Sequence, residues 1–158
     1  MKTMLVMVGK TTDSRLSTLV DEYLDRLTHY NIGFEPIIIP ELKNSKNLPV
    51  ERQKQMEGNA ILKIIQPGDY VVLLDERGKD FTSKEMSKWF EKLLHSSIKR
   101  IIFVIGGPFG FSQEVYSRSD AKISLSKLTF SHQMVRLFFA EQLYRSMTII
   151  HGEKYHHD

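Results

Sequence analysis

The sequence predicts an α/β fold, a mostly parallel sheet with helices on both faces, in one domain spanning residues 1–158. Three observations carry that prediction. Strand-like and helix-like segments alternate from end to end. The strand-like segments are continuous apolar runs rather than alternating ones, as strands buried on both faces require. The segments between them repeat apolar residues at three- and four-residue spacing, the period of a helix with one buried stripe.

Met4-Leu5-Val6-Met7-Val8 reads as a short buried strand closed by Gly9. Leu16, Leu19, Val20, Tyr23, Leu24 and Leu27 then follow an amphipathic helical pattern. Phe34 to Ile39 is a second strand, ended by Pro40, and the polar stretch from Glu41 to Leu48 predicts a mobile surface loop. Pro49 suits the first turn of a helix carrying Met56, Ala60, Ile61, Ile64 and Ile65, which Pro67-Gly68-Asp69 turns out of. Tyr70 to Leu74 is a third strand, ended by Asp75-Glu76-Arg77-Gly78. Thr82 and Glu85 have capping-box spacing ahead of a helix with Met86, Trp89, Phe90, Leu93 and Leu94. Ile101 to Ile105 is the fourth strand, Ser112 caps a short helix, Ala121 to Leu125 is a weak fifth strand, and a long helix starts near Ser131. That last helix is apolar at Met134, Val135, Leu137, Phe138, Phe139 and Ala140, more than one stripe, so its surplus is buried either within the chain, by the segments around it, or against the same helix of a second copy.

Composition narrows the chemistry. The 158 residues include no cysteine, which excludes disulfides, a thiolate nucleophile and cysteine-ligated zinc. The apolar run near the start is too short for a signal segment or a membrane span, so the expected compartment is the cytoplasm. Lys and Arg number 22 against 19 Asp and Glu, a net charge of +3 that only mildly favours a polyanionic partner. His151, His156 and His157 with Asp158 read as a solvated tail rather than a metal centre, and no metal is expected.

Parallel sheets bind ligands beyond the carboxyl ends of their strands. Here those ends are Gly9-Lys10-Thr11, Asp75 to Gly78, Gly106 to Gly110, and Ser126 to Thr129. Gly9-Lys10-Thr11 is not a P-loop, because the required upstream glycine is Met4. "GGPFG" does not have dinucleotide-fingerprint spacing, and Pro108 removes an amide that a phosphate would use. The turn holds something other than a phosphate, or it merely needs glycine dihedrals.

Four segments, "MLVMVGK", "VVLLDERGKDFTS", "FVIGGPFGFS" and "ISLSKLTFSHQMVRLFFAEQLYRSMTIIHGEKYHH", together resemble one family over the whole chain. It is the ribosomal RNA large-subunit methyltransferase H family of the SPOUT superfamily. The resemblance implies methylation of N3 of a pseudouridine in 23S ribosomal RNA by S-adenosylmethionine, a homodimer, and a SPOUT fold with a deep trefoil knot toward the C-terminus. It places the cofactor on Leu74, Gly106 and Gly107, and on Leu125, Ser126, Lys127, Leu128, Thr129 and Phe130. It brings His132, Arg136, Tyr155 and His156 forward as catalytic candidates, with His156, Asp75 or Glu76 as proton acceptor. Lys127, Lys122, Arg118 and Lys154 are candidate phosphate contacts. This sequence departs from the family pattern at His157, where a basic residue is common, and at Ser131, where proline is common. Two rival readings stand beside it: a SPOUT ribose 2′-O-methyltransferase acting on transfer RNA, and a non-catalytic ribosome-binding factor that retains the pocket. The first lacks its usual N-terminal arginine motif here.

Overall fold

The computed structural model describes residues 1–43 and 45–157. Asn44 of the polar loop and Asp158 of the C-terminal histidine group lie outside the described residues. The chain runs β1 (Lys2–Val8), α1 (Ser14–Thr28), β2 (Phe34–Ile39), a 3-10 turn (Ser45–Asn47), α2 (Val50–Ile64), β3 (Tyr70–Asp80), α3 (Ser83–Leu94), β4 (Arg100–Ile105), α4 (Gln113–Arg118), β5 (Ala121–Ser124) and α5 (His132–Ile150). The five strands form one sheet in the order β2-β1-β4-β3-β5, with every pairing parallel.

The continuous apolar runs are explained by burial on both faces. Along β1, Leu5 and Met7 enter one core while Met4, Val6 and Val8 enter the other. Along β4, Ile101, Phe103 and Ile105 alternate in the same way with Ile102 and Val104. The first core is covered by α1, α3 and α5, through residues such as Leu27, Phe90 and Phe139. The second is covered by α2 and α4, through Ile61 and Val115. Phe103, at the centre of the sheet, has its ring 5.0 Å from that of Phe139 and 5.8 Å from that of Phe90. Truncating so central a ring to alanine costs about 3–5 kcal/mol.

The caps are where the residue types place them. Thr82 accepts from the Glu85 N–H while the Glu85 carboxylate accepts from the Thr82 N–H, completing the capping box. Ser131 accepts from Met134 N–H and starts α5. Pro49 stands at the N-cap of α2, one residue ahead of the first turn.

Three expectations need correcting. Leu19 is 46% exposed, because it lies on the flank of the stripe centred on Val20 and Leu27. The third strand does not end at Leu74. Residues 75–78 are an excursion within β3, which pairs with β5 up to Leu74↔Ile123 and resumes at Lys79↔Ile123. Asp-Glu-Arg-Gly reads as a turn, but Gly78 lies flat against β5: a Cβ there would stand 2.6 Å from the backbone N of Ile123. Only glycine allows that approach. The surplus apolar surface of α5 is mostly absorbed by the fold, since Phe139, Ala140, Leu143 and Met147 are buried. Met134 and Phe138 remain exposed, at 37% and 39%.

Candidate functional site

Because all five strands are parallel, their carboxyl ends share one edge, and a cleft of about 600 Å³ opens there beside β4, β3 and β5. Its walls come from Leu74 to Arg77, Ile105 to Phe111, Ile123 to Ser126, Leu128 to His132 and Val135, with Lys54 and Tyr116 from α2 and α4. Apolar side chains such as Leu74, Ile105, Phe111 and Leu125 share these walls with polar ones on both sides, Asp75 to Arg77 on one and Ser126, Thr129 and His132 on the other, a mixture that can enclose and orient a small molecule.

The centre of the cleft is the turn after β4. Gly107 and Gly110 bridge each other, with the Gly110 N–H donating to the Gly107 carbonyl, and Gly110 has φ +82°. The turn therefore uses that N–H on itself rather than offering it to an anion. A Cβ on Gly106 would touch the Phe111 ring at 3.0 Å, and one on Gly107 would stand 2.7 Å from the Glu57 carboxylate beneath it. At both positions a side chain would collide with a neighbour already in place. Burial pushes the Glu57 carboxyl up from its ordinary range, opposed by its hydrogen bond from Gln53 and reinforced by Glu41.

The polar corner is built by the β3 excursion. Asp75 accepts a short hydrogen bond from the Tyr116 hydroxyl and one of 2.8 Å from the Arg77 N–H, with the Arg77 guanidinium 3.5 Å away. Burial alone would raise this carboxyl, but the Tyr116 hydroxyl and the N–H and charge of Arg77 outweigh it and hold it below the ordinary range. The Tyr116 ring has Arg77 at 5.2 Å and Lys122 at 5.7 Å.

The loop from Leu125 to Ser131 closes the opposite wall. Leu128 N–H donates to the Ser126 hydroxyl, and the Thr129 hydroxyl donates to Glu76 at 3.2 Å, tying the loop to the excursion. The ring of Phe130 packs 5.0 Å from that of Phe138. His132 begins α5 and lines the cleft. Burial, then the charge of Arg136, lowers the affinity of its imidazole for a proton, against an opposing pull from Glu41.

The structure thus brings Leu74, Gly106, Gly107, Leu125, Ser126, Leu128, Thr129, Phe130 and His132 to one cleft. Lys127 is exposed and is not part of the wall. Arg136 is fully buried and faces away from it: its guanidinium donates to the carbonyls of Val8 (2.6 Å) and Gly9 (2.8 Å) and to the Thr11 hydroxyl (3.2 Å). Tyr155 and His156 lie on the other end of α5. The Tyr155 hydroxyl donates to Glu141 (2.9 Å), its ring meets that of Tyr144 edge-on at 4.9 Å, and Arg145 lies 4.7 Å from its centre. Arg145 also donates to Glu141 and to Nδ1 of His156. Tyr116 and Lys54, both on the cleft wall, belong to no motif in the sequence. They come from helices of the second core, and only the strand order shows that those helices reach this edge.

Among the described residues no cluster of three or more histidines and carboxylates is arranged for a metal ion, and no helix is long and apolar enough to cross a membrane. A family model described as "Predicted SPOUT methyltransferase" matches residues 1–156. Proteins named ribosomal RNA large subunit methyltransferase H are similar over full length. The one from Christiangramia forsetii is 58% identical over 153 residues, 97% of each chain. The one from Parabacteroides distasonis is 55% identical over 158 residues, and the one from Bacteroides fragilis 53%, each covering 100% of both chains. With the match extending through the strands, the cleft turn and the C-terminal helix alike, the chain belongs to the SPOUT methyltransferase family.

Proposed function

We propose that the chain transfers a methyl group from S-adenosylmethionine to N3 of a pseudouridine in 23S ribosomal RNA of the large subunit. The observation that carries this is the full-length similarity to proteins of that name, joined to a cleft whose central turn spends its amide on itself. Such a cleft suits a nucleoside without phosphates. Leu74, Ile105, Phe111 and Leu125 offer apolar surface to an adenine, and Gly106 and Gly107 leave room for close backbone approach.

The cofactor supplies an electrophilic methyl on a sulfonium. Transfer of that methyl to N3 would leave the cofactor as a neutral thioether and would need a base to take up the N3 proton. His132, neutral at neutral pH, is a base on the cleft wall, whereas Asp75 already accepts from Tyr116 and Arg77 and is a poor acceptor. Positioning supplies much of the rest of the rate.

In this reading residues 1–158 act as one domain, knotted as a deep trefoil toward the C-terminus, in the cytoplasm where ribosomes are assembled. The protein is a homodimer whose interface includes the exposed Met134 and Phe138 of α5. The tail with Tyr155 and His156 then reaches the partner's cleft and not that of its own chain. Phe139 is no probe of such an interface, being fully buried in the core. Phe138→Asp is, and light scattering of that variant should show monomers with little methyl transfer.

The decisive experiment offers labelled S-adenosylmethionine with naked RNA, large subunits and whole ribosomes, then identifies the product nucleoside. N3-methylpseudouridine supports the proposal. A 2′-O-methylated nucleoside from transfer RNA, or cofactor binding with no labelled RNA at all, overturns it. Gly106→Val should abolish cofactor binding in calorimetry, since its side chain would crowd the Phe111 ring on the cleft wall, and a thermal melt of the variant separates loss of the pocket from loss of the fold.

A further inference from the structure

The loop that joins β1 to α1 is held far more firmly than a surface connection needs. Five consecutive residues are each tied to a side chain of the first turns of α5. Arg136 takes the carbonyls of Val8 and Gly9 and the Thr11 hydroxyl. Gln133 donates to the Lys10 carbonyl (3.1 Å) and accepts from the Thr12 N–H (2.9 Å). Gly9, at φ +78°, adds an N–H donated to Ile39 at 2.7 Å, and a Cβ there would strike the Glu41 side chain.

Burying a guanidinium is expensive, and here only the charge of Glu41 acts on it, with no ion pair among the described residues; connecting loops are ordinarily solvated and mobile. A loop fixed at that expense is a loop whose position matters. What it presents is Lys10, exposed and engaged in no ion pair among the described residues. Lys10 stands beside the cleft mouth, since Gln133, which grips its carbonyl, also lies 3.3 Å from Nε2 of the cleft residue His132. Lys54 and Arg77 reach the cleft from α2 and from the β3 excursion. Lys54 and Arg77 each lie 3.5 Å from a carboxylate, Glu51 and Asp75 respectively, which leaves Lys10 as the cation of the three with no ion pair among the described residues.

We infer that the loop from Val8 to Thr12 is an RNA-docking element. In it Lys10 contacts a backbone phosphate next to the target nucleotide, and Gln133 and Arg136 are the positioning residues that hold it. The inference rests on the RNA methyltransferase reading above. A lysine point charge fixes register on a polyanion without reading bases.

The test is binding of the purified protein to a 23S RNA fragment carrying the target pseudouridine, at several salt concentrations, with cofactor affinity and thermal midpoint measured in parallel. Lys10→Ala should weaken RNA binding roughly five- to tenfold at 0.1 M salt and lower the salt slope by about one contact. Lys10→Arg should restore both, and cofactor affinity and thermal midpoint should not move. Gln133→Ala, which keeps the charge but frees the loop, should weaken binding while keeping the slope. Wild-type affinity and slope in Lys10→Ala overturn the inference, as does a parallel loss of cofactor affinity or thermal stability. If the wild-type protein shows no salt-dependent RNA binding, the RNA methyltransferase reading falls and takes this inference with it.

Discussion

The two ends of α5 hold their surroundings in opposite ways. At its start, Arg136 is completely buried and its two terminal nitrogens donate to the carbonyls of Val8 and Gly9, leaving Nε without a partner, so it fixes the course of the main chain. Near its other end, Arg145 is partly exposed and is satisfied by Glu141, the Tyr155 ring and His156, so it fixes side chains of the tail. A carbonyl clamp cannot be released without leaving buried acceptors unpaired. A network of partly exposed side chains can trade partners for water or for another chain. The rigid end belongs to the cleft; the exchangeable end belongs to the segment placed, in the proposed dimer, at a neighbour's cleft.

The largest effect should come from breaking the rigid end. Arg136→Met leaves the Val8 and Gly9 carbonyls without their donors, and at about 1–3 kcal/mol for each buried unpaired group the loss of stability should be near 3 kcal/mol. Urea unfolding reads this directly, and a loss below ~1 kcal/mol would make the two ends alike. A smaller effect on folding, but a clear one on turnover, should follow from removing the exchangeable end. A chain truncated after Lys154 should lose at least tenfold in turnover, about 1.4 kcal/mol in barrier, with cofactor affinity unchanged. Equal losses in both would make the tail structural.

The smallest effect sharpens the contrast electrostatically. His132 should half-titrate below its ordinary value of 6.5, and Glu41→Gln should lower the midpoint further by removing the opposing charge; NMR of the imidazole follows both. The sign for stability follows. The unfolded chain takes up this proton near pH 6.5 while the folded one resists it. The contribution is therefore intact above that pH and is lost as pH falls through the lower, folded midpoint. A midpoint at or above 6.5 would remove the reason for treating His132 as a neutral base.

Much of the molecule was legible in its sequence because burial on two faces leaves a pattern that needs no partner to be read. The runs Met4–Val8 and Ile101–Ile105 announce central strands, and the glycines after Ile105 announce the cleft turn. The excursion of β3 was not legible, since Asp75 to Gly78 has turn composition, and only contact with β5 explains the glycine. Arg136 reads as a catalytic candidate, because nothing local shows that the Val8 and Gly9 carbonyls lie within its reach. Tyr116 and Lys54 were missed for the same reason. Their part in the cleft depends on β4 standing between β1 and β3, a fact of topology and not of spacing.

That strand order also governs how the chain reaches its shape during synthesis. β1 can pair with β2 early, but its other edge waits for β4, which begins only at Arg100. At bacterial and eukaryotic elongation rates together, the residues between Val8 and Arg100 take roughly 5–20 s to emerge. Throughout that interval a strand that is apolar from Met4 to Val8 has one unpaired side. Completion of the sheet is therefore a late, non-local event, expected to make folding slow for the chain's size and most vulnerable to aggregation before the fourth strand arrives.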